Sequence, residues 1–291
     1  MTAFSALSRL VRRLPEPAAR FLLEDVVVRG LMMGWPANRR AARKNLTRVL
    51  AATGREASPA ELAAMTRRSL ALYARFLLLM AVHPAEVRAA RERTDLVLLP
   101  TLKALGAEKR GVVLVTPNYG LVAHGLWALY EAGVPLRMPI LNRAFLAHAP
   151  RGMYERVSTV GASASDCLRA LAAEEVVFQI ADINFLPRRR TVEFFGAPAP
   201  LGYAAARLSA ASGAPILPAF ATAEGDRCVF ECDEPIRPQG LSLPELHRAV
   251  AGSMERFIGR HPDQWLVYDD FWDVRGMDRK YALVRRLAPW S

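Results

Sequence analysis

The sequence predicts an α/β fold, a mostly parallel central sheet flanked by helices, with a helical N-terminal third. Three observations predict it. Apolar residues recur at helical spacing through residues 1–107. From residue 111 the period changes to short, continuous apolar runs bounded by glycine and proline. Those runs then alternate with amphipathic segments, which is the pattern of a parallel sheet with helices on both faces. The expected organisation is one domain, 1–291, with a helical part over 1–107 and an α/β part over 108–291 that carries the site.

The first helix places Phe4, Leu7, Leu10, Val11 and Leu14 on one stripe, with Arg9, Arg12 and Arg13 between them. Such a helix suits either a membrane surface or the rest of the domain. FLLEDVVVRGLMMGW follows, then NRRAARKNLTRVLAA, with Asn38 as a candidate N-cap. In SPAELAAMTRRSLALYARFLLLMAV, Ser58, Pro59 and Glu61 form a capping-box start. The longest apolar segment, 69–82, contains Arg75 and falls short of the roughly 20 residues needed to span a bilayer.

GVVLVTP reads as a buried strand, and LVAHGLWALYEAG as a helix that stops at Gly133. VPLRMPI is a second strand, and residues 143–173 read as helical. EEVVFQIAD is a third strand ending at Asp182, and RTVEFFG a short one. GYAAARLSAASG is a helix. APILPAFAT and DRCVFECDEPI are strands joined by the turn AEGD. LPELHRAVAGSMERFIGR is the last helix, and HPDQWLVYDD reads as a turn and final strand.

Composition narrows the function classes. Hydrophobic residues make up 52% of the 291, enough for a large core. The formal charge is +11, and only four of the 39 basic residues are lysines. That charge suits anionic headgroups, phosphates or an acidic carrier protein. It lacks the aromatic interleaving of a nucleic-acid module. Cys167, Cys228 and Cys232 form no C-x-x-C pair and have no histidine at ligand spacing, so no metal site is expected. Their number and spacing suit a reducing compartment.

In open α/β sheets, ligands bind beyond the C-terminal ends of the strands. Two such ends carry suggestive residues here, TPNYG at 116–120 and ADINF at 181–185. Around them the sequence resembles the lysophospholipid acyltransferase-like proteins of the lipid A lauroyl/myristoyl acyltransferase branch. NRRAARKNLTRVL, ASPAELAAMTRRSLALYARFLLLM, GVVLVTPNYG, EEVVFQIADINF, RTVEFFGAPAPLGYAAARLSAASGAPILPAFA and HPDQWLVYDDFWDVR match that family's segments in order and spacing. The resemblance implies a cytoplasmic protein, peripheral at the inner face of the bacterial cytoplasmic membrane. It implies no cofactor, an acyl carrier protein or CoA thioester as co-substrate, and a lipid, glycolipid or amine acceptor.

The family's reaction uses a histidine as general base and a carboxylate five residues on to orient it. Carried over residue by residue, those positions are Asn118 and Ala123. An asparagine side chain accepts no proton at neutral pH, and an alanine orients nothing. His124 is the nearest substitute. It lies six residues after Asn118, about 600° along a helix and so about 240° around it, which turns it away. His148 is a second alternative. Asp182 falls on the family's carboxylate at the end of the third strand.

Asn118, His124 and Asp182 are therefore the candidate catalytic residues. Tyr119 and Gly120 could present backbone amides to an anion, and so could Gly202 at a helix start. Asn142 and Arg143, with Arg188, Arg189 and Arg190, are candidates for holding the acceptor, a phosphate or the carrier protein. Asp269, Asp270 and Asp273 stand where relatives tend to be basic. Three readings follow: acyl transfer by a variant site, a catalytically silent member that binds acyl chains, a carrier protein or a partner enzyme, or another reaction of an acyl thioester such as hydrolysis or condensation.

Overall fold

A computed structural model describes residues 3–32, 36–81, 83–140, 158–161, 163–182 and 190–276. The helical N-terminal part runs as α1 (Ala3–Arg13), α2 (Glu16–Phe21), a π-helix (Leu22–Met32), α3 (Pro36–Ala52), α4 (Pro59–Met80) and α5 (Pro84–Glu92). The Ser58–Glu61 capping box is formed, and it fixes the start of α4. α3 starts at Pro36, so Asn38 lies inside its first turn and is not its cap. Proline at the first helical position explains the earlier start, because its missing N–H would have no partner there.

α1, α2 and the π-helix pack Val11, Ala19, Leu23 and Val28 against Leu70, Ala74 and Leu78 of α4. Of the two readings of the first helix, packing on the body holds for one face. Leu10, Phe21 and Val26 stay exposed on the other side.

The remaining elements are β1 (Thr94–Asp95), α6 (Leu99–Gly106), β2 (Val112–Thr116), α7 (Val122–Glu131), β3 (Leu136–Ile140), β4 (Ser158–Gly161), α8 (Ala164–Ala172), β5 (Val176–Ile180), β6 (Val192–Phe194), β7 (Ala197–Ala199), α9 (Ala204–Ser212), β8 (Ile216–Glu224), β9 (Arg227–Cys232) and α10 (Leu243–Arg260). Seven strands form one sheet in the order β1-β9-β8-β2-β5-β3-β4. Every pair is parallel except the β8–β9 hairpin. The sheet has a core on each face. Along β2, Val113 and Val115 pack with α9 and α10, while Val112 and Leu114 pack with α6 and α7. Alternation along a pleated strand requires this split.

Two expectations change. The stretch 143–173 is not all helix: β4 pairs with β3 ahead of α8. Four residues are too few to set a period of two against a helical neighbourhood. RTVEFFG holds the expected short strand, β6, which pairs with β7 in a two-stranded hairpin whose turn, Phe195 and Gly196, is in left-handed backbone. HPDQWLVYDD forms no strand. It begins with a 3-10 turn, Pro262–Gln264, followed by an isolated β-bridge between Trp265 and Tyr119.

Candidate functional site

β2 and β5 are neighbours in exact register, from Val112 opposite Val176 to Thr116 opposite Ile180. Asn118 and Asp182 each lie two residues beyond their strand's end, so the topology brings them together. The Asn118 backbone N–H donates to both Asp182 carboxylate oxygens, at 2.9 and 2.8 Å. The Trp265 indole N–H donates to the same carboxylate at 2.8 Å. Asp182 is only 4% exposed. Burial raises its carboxyl to a pKa of about 6, and the bonds from Asn118 and Trp265 oppose that rise. The Asn118 side chain is also occupied: its amide donates to the Leu266 carbonyl at 3.3 Å. The Leu266 N–H returns a bond to the Asn118 carbonyl at 2.8 Å.

The rest of the turn is closed by backbone carbonyls of β8 and of the 3-10 turn. Gly120 adopts φ +54°, and a Cβ there would lie 2.1 Å from the Ala221 carbonyl oxygen. Only glycine fits. Its N–H donates to the Gln264 carbonyl, and the Leu121 N–H donates to Ala221, both at 2.8 Å. The Gly120 amide, expected to face an anion, is thus spent on the protein. Tyr119 is fully buried, with its ring edge-on to Phe220, and it faces the core. Gly202 likewise gives its N–H to the Ala181 carbonyl at 2.5 Å, and the helix behind it starts only at Ala204. Ala123 is buried among Leu121, Val122 and Leu126.

His124 points away from this turn, as the helical angle predicted. It is 1% exposed, and its Nε2 lies 2.6 Å from Glu86, which is fully buried. Glu86 also accepts from Arg20 at 2.7 Å and from Arg75 at 3.2 Å. Burial pushes Glu86 up, but His124, Arg75 and Arg20 together outweigh it and hold the carboxylate below its usual range. Burial pushes the His124 imidazole down, against the pull of Glu86. The pair is therefore a carboxylate that accepts Nε2–H from a neutral imidazole. Nδ1 of His124 is enclosed without a partner.

Arg190 is exposed, with its guanidinium 5.4 Å from the Tyr203 ring centre. Asn142, Arg143, His148, Arg188 and Arg189 lie outside the described residues. Three residues that shape the site went unnoticed in the sequence. The Trp265 indole N–H needs a partner when buried. Gln264 clamps the turn, with its side chain bonded to both backbone groups of Ala223. Glu86 looked like an ordinary acidic residue in a helix's first turn. Among the described residues, no group of His, Cys, Asp and Glu could hold a metal ion.

A family model, bacterial lipid A biosynthesis acyltransferase, matches residues 2–272. The chain belongs to that family. The match includes both strand ends and the C-terminal turn that closes over them. No curated protein matches the chain. Among the described residues, no single helix of this family member is long and apolar enough to cross a membrane.

Proposed function

We propose that this member of the lipid A acyltransferase family binds an acyl-bearing ligand without carrying out the family's base-catalysed transfer. The observation that carries this reading is the state of the three candidate catalytic groups. Asn118, which the resemblance puts at the base position, gives its backbone N–H to Asp182 and its side-chain N–H to the Leu266 carbonyl. Asp182 is buried under three donated bonds. His124 is turned into a buried cluster with Glu86. Asn118 is no base, and Asp182 and His124, the two that could take a proton, are 4% and 1% exposed. The expected ligand is a fatty-acyl thioester of a carrier protein or CoA, or a lipid bearing such chains. The test measures binding of acyl-CoA and acyl-carrier protein beside thioester loss and product mass. Binding with no loss above the uncatalysed rate is the expected result.

One observation favours a second reading, acyl transfer by a variant site. The Asp182 carboxyl is raised to about 6, near the range useful to a general base. An amine acceptor, or one that brings its own base, would ask less of it. In that case Asp182→Ala abolishes a turnover that His124→Ala leaves in place.

The same reading places the chain at a membrane surface. Leu10, Phe21 and Val26 are exposed on three successive helical segments, and α1 carries no acidic residue in its first turn and Arg12 and Arg13 in its last. This combination suits anionic lipid.

A further inference from the structure

A cleft of about 680 Å³ opens between α2, α4, α5 and the β8–β9 turn, away from Asn118 and Asp182. Alanines and Leu72 line its apolar part. Five arginines line it too, and they are not equivalent. Arg68 is paired with Asp263, Arg93 with Asp226, and Arg20 with Glu16 and Glu86. Each of these meets a carboxylate, so none is open to a ligand without a rearrangement.

Arg75 is different. Its side chain is only 11% exposed, and its Nε is anchored to the fully buried Glu86. Its two Nη atoms have no protein partner among the described residues, and they are not enclosed. Since Arg75 lines the cleft, that half of the guanidinium faces it. Arg88, exposed on α5, is a second arginine of the wall with no ion-pair partner among the described residues. Among the described residues, four carboxylates line the cleft as well; Glu16, Asp226 and Asp263 are each paired with an arginine, and Glu92 is the one that opposes an anion near Arg88 on the same helix.

We propose that this cleft is a phosphate-binding site, with the phosphate seated on the outward N–H groups of Arg75 and balanced by Arg88. A guanidinium fork matches phosphate oxygens two at a time. Glu86 supplies what a surface arginine lacks. It holds the planar group in one orientation, so little rotamer freedom is lost on binding. The apolar lining suits a phosphate attached to a hydrocarbon or sugar, and free phosphate shares the same chemistry. The site borders the Asn118 turn only through Gln264, and it does not depend on whether acyl transfer occurs.

The experiment is calorimetric titration of the full chain with inorganic phosphate and with a soluble short-chain phosphatidic acid, at constant ionic strength set by chloride. Saturable binding of either is expected. Equal affinities identify free phosphate as the source, and tighter binding of the lipid identifies a headgroup. Arg88→Ala, an exposed change that leaves the fold intact, should weaken binding about tenfold, the loss expected for one charged hydrogen bond. Arg75→Lys keeps the charge near Glu86 but loses the fork, and should weaken it at least as much. No saturation with either probe overturns the proposal, and so does unchanged affinity in Arg88→Ala. The Arg88 variant decides the matter even if Arg75→Lys fails to fold.

Discussion

Asp182 accepts three hydrogen bonds yet has its carboxyl raised to about 6, because burial outweighs the bonds. Its folded-state pKa lies above the ordinary carboxylate value, so its contribution to stability is full below about pH 4. That contribution is lost as the pH rises through about 6. The shift amounts to a loss on the order of 3 kcal/mol. Comparing urea unfolding of the parent and Asp182→Asn chains from pH 4 to 7 should show this pH-dependent difference. A difference that stays flat across the window contradicts the assigned environment. His124 behaves in the opposite sense. Its imidazole is held below its ordinary value, so the stability it gives is present above pH 6.5 and is lost as the pH falls below that. Removing its partner with Glu86→Ala strands Arg75 and an imidazole without compensation. It should cost about 3–5 kcal/mol by the same unfolding measurement. Part of this was legible in the sequence. The six-residue offset from Asn118 turned His124 away from the site, but nothing local marked Glu86 as its partner across 38 residues.

At the scale of elements, the strand–turn–helix from β2 to α7 is held by contacts from two other segments. Ala221 of β8 and Gln264 of the 3-10 turn take the N–H groups of Leu121 and Gly120. Gly120→Ala should therefore lower stability by at least about 2 kcal/mol, from the positive φ alone before the collision with Ala221 is counted. Equilibrium unfolding checks this. The parallel strands and their helices were readable because continuous apolar runs between glycines and prolines recur along the chain. The pairing of Asn118 with Asp182 follows once β2 and β5 are adjacent. What was not readable is non-local or short. β4 and β7 are only four and three residues long. Trp265 reaches Asp182 from 83 residues away. The apparent anion cradle at Gly120 failed for the same reason, since its amide is claimed by a segment that begins some 140 residues later.

The whole molecule joins a helical N-terminal part to a sheet, and the exposed apolar residues of that part gather in α1, α2 and the π-helix. If they touch a bilayer, Phe21→Ser should reduce partitioning to anionic vesicles about tenfold, since burying such a side chain is worth about 1.5–3 kcal/mol. Raising the salt should weaken binding of the parent as well. Sedimentation with vesicles measures both, and equal partitioning of the two chains counts against that surface. The larger question is what this family scaffold does with an asparagine at the end of β2 clamped to a buried aspartate. Mass-resolved assay of acyl-carrier protein and acyl-CoA against a panel of hydroxyl and amine acceptors answers it most directly, with binding followed in the same samples. The expected result is saturable binding of the acyl thioester, no acylated product, and thioester loss equal to that without protein. Acylated product that depends on the protein and disappears in Asp182→Ala would contradict it.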